Sequence, residues 1–473
     1  MDLPGLRLPS PLAGVRMRFS PVVFVLFALA CFAWNYPGQL NVDSVEQLVG
    51  MADPRYLNDW HSPLVGWIWT LAAPWLGEPA AATAVHSLLL AFFAATVPVQ
   101  RGRSAFERSL TGFEILLKLS LLTMAGTILK DIMLAALLLG FLACLQLVPN
   151  ARRPRAWLGG AALFLALALT VRPPNFLMAV FAIALFMALY VRSARAWAAW
   201  VAPLSAILAL ALPVAAGINA GLFHAENGHA EKQLILFDAA AIAAATGKPV
   251  FEELPGWPKA GLPPPAACYE VVEWDSLAPW GRCPGYSAAF DTVEWQHGRR
   301  TTFGWWARAI LRHPAAYARH RLAFALYTIG PATSLSASRV PPPLNSEAQR
   351  TDLRRVVGGR MDERRFQIWI DRTPSATAAL DRALVSIVPW LPGLALAACL
   401  GLFAGAVRAR RAGRRWDLTA ALAAAFGLGN AAMLTLTGVS SSERYMLPAI
   451  VLAAAGLIAA GRFRAQEASK RAA

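Results

Sequence analysis

The sequence predicts an all-α polytopic membrane protein: a bundle of about ten to twelve transmembrane helices, an extracytoplasmic first loop and a larger mixed outer region. Three observations predict it. The 473 residues are 57% hydrophobic and only 15% charged, where soluble chains carry about 25% charge. Apolar runs recur at 17–35, 79–99, 112–129, 131–149, 156–172, 174–191, 196–222, 380–405, 417–437 and 444–461, most of them long enough to cross ~30 Å of hydrocarbon at ~1.5 Å per residue. Finally, the basic residues gather in short segments between these runs.

That third observation orients the chain. The segments 1–18, 100–111, 150–155, 192–195, 408–417 and 462–473 hold twenty Lys/Arg against four Asp/Glu, a difference of +16 that equals the net charge of the whole chain. Basic residues confined to short inter-helix loops mark the cytoplasmic side, so the charge requires no polynucleotide, and nucleic-acid binding is set aside. The first run lacks a small-x-small cleavage site and ends in Trp34-Asn35-Tyr36, an interfacial anchor rather than the end of a signal peptide. Alternation of the helices then closes only if the Trp-rich, Pro-punctuated stretch 62–77 lies flat at the outer interface.

The expected organisation is a transmembrane module over 1–222 with a first outer loop at 36–78, an extracytoplasmic region over 223–379, and C-terminal helices over 380–473. Within the outer region, 304–337 alternates aromatic and basic groups at helical spacing, which suits an interfacial amphipathic helix. Cys31, Cys144 and Cys399 lie in apolar runs as packing residues. Cys268 and Cys283 fall in the outer region, where a disulfide can persist, and their pairing stays open.

Polar residues at membrane depth are costly, so their positions carry the functional signal. Loops placed by cytoplasmic charge alone bring five clusters to the outer side. These contain Asp43, then Asp59 and His61, then Lys130-Asp131, then Arg172 with Asn175, and last Arg444-Tyr445. Each has a plainer alternative. Asp43 and Asp59 can cap short helices, Lys130 can pair locally with Asp131, Arg172 can end an outer loop, and Arg444 can pair with Glu443. Glu114 and Lys118, four residues apart, read as an ordinary helix-surface pair. Together the outer set offers cations suited to a phosphate headgroup and carboxylates suited to general-base work, with a divalent metal on the aspartates left open. No Ser-His-Asp arrangement and no Gly-rich phosphate loop is present in the sequence.

The element Asp59-Trp60-His61-Ser62-Pro63-Leu64, following an acidic motif in the first outer loop, resembles the D-x-H-P-P-L element of the GT-C glycosyltransferases. The nearest branches are the protein O-mannosyltransferases and the lipid A aminoarabinose transferases. The chain has Ser-Pro where that element has Pro-Pro, and Asp43-Ser44 where the mannosyltransferases have Asp-Glu. The resemblance implies a GT-C-like bundle whose catalytic acid in the first outer loop is Asp43. It implies further that His61 contacts a lipid phosphate, and that Lys130-Asp131 and Arg444-Tyr445 match later motifs. The implied activity is an inverting transfer of a sugar from a polyprenyl-phosphate carrier to a hydroxyl on a glycan, lipid or protein. It would occur at the outer face of a bacterial-type inner membrane. In this reading Asp43 is the base, Asp131 and Asp59 position the acceptor or a metal, and Lys130, Arg172 and Arg444 hold the phosphate. Asn175 and Tyr445 complete the substrate contacts. Rival readings are an envelope polysaccharide polymerase or ligase using pyrophosphate-linked glycans, and a lipid or glycan transporter with charges at the bilayer midplane.

Overall fold

The computed structural model describes residues 17–98, 105–148, 151–190, 217–329, 391–413, 416–440 and 443–472, apart from single positions 39, 41, 54, 56, 173 and 227. Most of the apolar run 196–222 and all of 330–390 lie outside the described residues, as do Arg101, Arg103 and Arg192. The chain forms two compact units. The first comprises 1–227, 338–431 and 446–473; the second comprises 228–337 and 432–445.

The first unit is helical. It contains α1 (Pro21–Asn35), α2 (Val42–Ala52), α3 (Pro63–Thr70), α4 (Ala73–Leu76), α5 (Glu78–Ala94), α6 (Ala105–Met124), α7 (Lys130–Leu147), α8 (Pro154–Thr170) and α9 (Asn175–Tyr190). The all-α prediction holds, but the count of ten to twelve transmembrane helices does not. Among the described residues four helices are long and apolar enough to cross a membrane: α7, the helices Leu391–Arg411 and Leu418–Thr437, and the final helix over Leu447–Ala468. The reason lies in helix length. Helices α1, α5 and α8 run 15, 17 and 17 residues, and at ~1.5 Å per residue they fall short of ~30 Å. Run 112–129 is interrupted where α6 stops at Met124, and run 79–99 ends in a strand instead of a helical turn.

That strand organises the unit. β1 (Met17–Phe19) precedes α1, and β2 (Thr96–Pro98) follows α5. The two pair antiparallel with Arg18 opposite Val97, so the chain leaves and returns at one end. Arg462 joins that end, reaching the Met17 thioether at 3.8 Å and pairing with Glu114, which also meets Lys118 at 2.7 Å. The loop from α1 to α5 therefore emerges at the opposite end. There the buried Asn35 amide donates to the Cys31 and Leu122 carbonyls at 2.8 and 2.6 Å, tying the end of α1 to the end of α6. Helices α3 and α4, of 8 and 4 residues, are both too short to cross hydrocarbon, and they leave Trp67, Leu71 and Trp75 exposed. Helix α3 begins on Ser62, whose hydroxyl accepts from the Val65 N–H at 3.5 Å, with Pro63 at the first helical position where no N–H is needed.

Helix α7 is the axis of the unit: all but two of its residues are buried, and α5 and α8 pack on it. Gly140 lets Phe164 of α8 lie where a β-carbon would meet the ring at 2.6 Å.

The second unit contains α10 (Glu231–Thr246), α11 (Pro265–Cys268), α12 (Gly285–His297), α13 (Arg299–Arg312) and α14 (Pro314–Ile329). Its core gathers Phe251, Trp257, Tyr286, Phe290 and Trp305 around one face of α10. Cys268 and Cys283, left open by the sequence, form a disulfide. The remaining helices are α15 (Leu391–Arg411), α16 (Leu418–Thr437) and α17 (Leu447–Ala472).

Gly38 offers a test of how the outer loop is anchored. Its φ is +114°, and an added β-carbon would sit 2.2 Å from the Thr83 hydroxyl. Gly38→Ala is expected to cost about 2 kcal/mol or more, read as a lowered Tm of the detergent-solubilised chain. An unchanged Tm would mean that the loop start is not held as described.

Candidate functional site

The polar residues of the first unit meet where the loop between α1 and α5 rises. Helix α7 opens with Lys130-Asp131, which puts an ammonium at the positive end of a helix dipole, in a position 8% exposed. Such a cation needs an acceptor. Lys130 donates to His61 Nδ1 at 2.7 Å, and His61 Nε2 faces Glu46 Oε2 at 3.4 Å. Because an ammonium has no acceptor, Nδ1 must carry the lone pair. The imidazole is therefore neutral, with its proton on Nε2 directed at the Glu46 carboxylate. Burial pushes the His61 pKa below its usual 6.5 and the Lys130 charge adds to this, while Glu46 and Asp43 act in the opposite direction.

Asp43 lies in the first turn of α2, three residues before Glu46 and so on the same side of the helix. It is close enough for its charge to be felt at His61. A shallow cleft of about 10 Å³, room for roughly one water, adjoins this group and is lined by Glu46, Gln47, Gly50, Leu57, Asn58, His61 and Pro63. Gln47 fixes one wall by donating to the Ser62 carbonyl at 2.8 Å. The other wall is held by backbone bonds from Asp59 N–H to Glu226 O and from Glu226 N–H to Leu57 O, both 2.9 Å.

The neighbouring Asp131 is 1% exposed and paired with Arg172 at 2.8 Å. Arg172 stands in the turn between α8 and α9. Asn175, fully buried, braces that turn by donating to the Ala168 carbonyl at 2.8 Å, and its own carbonyl oxygen is a buried atom without a hydrogen-bond partner. His61, Lys130, Asp131, Arg172 and Asn175 thus fall together, with Asp43 beside His61. Asp59 enters through its backbone and does not line the cleft. Arg444 and Tyr445 belong to the second unit, in the turn Glu443–Met446, and the Arg444 side chain lies outside the described residues.

Glu46 was missed as a site residue, whereas the segment around Asp238, which the sequence offers either as a site contributor or as the start of a buried helix, lies in a buried helix. Glu46 sits inside the acidic motif at helical spacing from Asp43, a signal that was there to be used. In the second unit, the fully buried Asp238 receives Arg321 at 2.6 Å, His320 at 3.2 Å and the Trp306 indole N–H at 3.1 Å. Tyr269 meets the other His320 nitrogen at 2.8 Å. Asp238 is thus the charge at the centre of a buried helix. The second unit also brings donor atoms of His229, Glu231 and Glu294 within 4.8 Å of one another, a set able to hold a metal ion. Arg299 pairs with both carboxylates there, so a cation would compete with its guanidinium.

Fold and site define a multi-span helical membrane protein with a cation–imidazole–carboxylate chain at the mouth of its bundle. Among solved structures, the chain is similar to the crystal structure of ArnT from Cupriavidus metallidurans bound to undecaprenyl phosphate. Identity is 15%, with 93% of this chain and 77% of that chain covered and a TM-score of 0.30. With so low a TM-score the likeness assigns no residue a role. No family model matches, and no curated protein matches.

Two measurements test the site. Asp131→Ala leaves the Arg172 cation among buried groups and is expected to cost about 3–5 kcal/mol; a Tm within error of the wild type would mean the pair is not held. For His61, the folded pKa is depressed. Stability is therefore fully present above about 6.5 and is lost as pH falls through the lowered folded value. His61→Gln should flatten the fall in Tm between pH 7.5 and 5, and an unchanged slope would place the pH dependence elsewhere.

Proposed function

We propose that the chain is a membrane glycosyltransferase that moves a sugar from a polyprenyl-phosphate carrier to an acceptor hydroxyl at the outer face. The observation that carries this reading is the meeting of Asp43, Glu46, His61 and Lys130 beside a cleft at the loop-bearing end of the bundle. Cations at a bilayer mouth suit a lipid phosphate whose tail stays among the helices. Asp43 takes the proton of the acceptor hydroxyl as its oxygen attacks the anomeric carbon. The carbon–oxygen bond to the phosphate breaks, and the electron pair leaves with the phosphate. Lys130 and Arg172 meet the charge that develops there, and His61 orients the Lys130 ammonium. Because the carrier already supplies an activated leaving group, no nucleotide is needed. The Cys268–Cys283 disulfide supports an oxidising compartment for the second unit.

The test is transfer of radiolabelled sugar from polyprenyl phosphate in membranes. Asp43→Asn, which keeps the shape and removes the base, is expected to lower the rate about 10²–10⁴-fold. Full transfer by that variant would remove Asp43 from the role. Full transfer by Lys130→Met would remove the phosphate-binding assignment.

A further inference from the structure

Helix α14 is built inside out. Its inward face carries His320, Arg321 and Thr328 beside Phe324 and Ala325, with the two basic groups closed around Asp238. Its outward face carries Ala315, Arg319, Leu322 and Leu326, and the two leucines are 61% and 59% exposed. A helix on a water-facing surface has the reverse pattern, with charge outside and leucine within. Helix α13 continues the theme, exposing Phe303, Ala307 and Leu311 at every fourth residue, with Leu311 78% exposed.

The charge along these helices identifies the occupant. From Arg299 to Ile329 the sequence contains six arginines and no carboxylate. Arg299, Arg312 and Arg321 pair with acids from other segments. Arg300, Arg308 and Arg319 are exposed and form no ion pair among the described residues. Leucines flanked by such arginines suit the boundary between acyl chains and anionic headgroups, where the apolar row is buried and guanidinium groups reach phosphate.

We infer that the outward face of α13 and α14 docks on the surface of an anionic lipid leaflet, with Leu311, Leu322 and Leu326 inserted and Arg308 and Arg319 on lipid phosphates. The inference is independent of the sugar-transfer reading. It gives the buried Asp238 cluster a purpose: by drawing two basic side chains inward, it frees the opposite side of α14 for lipid.

The experiment uses the full chain reconstituted into vesicles of phosphatidylcholine with or without phosphatidylglycerol. Cys31, Cys144 and Cys399 are replaced by Ala, and an environment-sensitive NBD label is placed at Leu322→Cys, at Leu326→Cys, or at the water-exposed control Lys248→Cys. Labels at 322 and 326 are expected to emit to the blue of the control, to be quenched by nitroxide lipids and to be shielded from iodide. Adding Arg308→Gln and Arg319→Gln should move the emission toward the control in phosphatidylglycerol vesicles and change little in pure phosphatidylcholine. Iodide quenching equal to the control would overturn the inference by placing the face in water. Shielding from both quenchers would overturn it by placing a protein there. Lipid quenching with no effect of phosphatidylglycerol or of the arginine substitutions would overturn the phosphate assignment.

Discussion

A lysine at the amino end of a buried helix carries the wrong charge for the dipole. Lys130 holds that position, and the first unit is arranged around the need to give it an acceptor. His61 meets that need only as the neutral tautomer with its lone pair on Nδ1, which sends the Nε2 proton toward Glu46. The loop between α1 and α5 is consequently registered on α7 through one imidazole. The same helix end settles Asp131, whose charge does suit the dipole and whose partner Arg172 fixes the turn between α8 and α9. Two consecutive residues of opposite charge thus recruit two separate loops to one place.

Much of this convergence was legible in the sequence, because it rests on where charges sit relative to apolar runs. His61, Lys130, Asp131, Arg172 and Asn175 were all picked out by being polar at predicted helix ends. Glu114 and Lys118 pair at the spacing that foretold it. The number of membrane-length helices was not legible. An apolar run does not record where its helix stops: 79–99 spends its last residues in a strand pair, and 112–129 breaks before Gly126, whose added β-carbon would meet the Asn35 side chain at 2.3 Å. The burial of the helix around Asp238 was one of the two readings its sequence offered, but its partners were hidden, since 82 residues separate Asp238 from His320 and nothing local announces the pairing. Such contacts come from packing, which a pattern of hydrophobicity does not encode.

The two units solve the problem of buried charge differently. In the first, the Lys130–His61–Glu46 chain runs from a buried lysine to a partly exposed carboxylate beside a cleft, so the charge is presented to whatever enters. In the second, Asp238 is fully enclosed, with Arg321 and His320 at ion-pair distance from one oxygen and the Trp306 indole N–H donating to the other. The contrast separates a half-open cluster from an enclosed one although both contain a histidine, an acid and a base.

The turn between the last two helices shows what long-range stitching means for biosynthesis. Arg321 donates to the Gly438 carbonyl at 2.6 Å, and the Trp274 N–H donates to Val439 O at 2.9 Å. A short stretch near the carboxyl end therefore completes a body whose other residues left the ribosome more than a hundred positions earlier. Until that stretch arrives, the Arg321 guanidinium lacks its carbonyl and the loop carrying Trp274 lacks an edge to bond. The final hairpin thus acts as a keystone, and a chain released before residue 438 would present the quality-control machinery with a finished exterior around an unfinished seam.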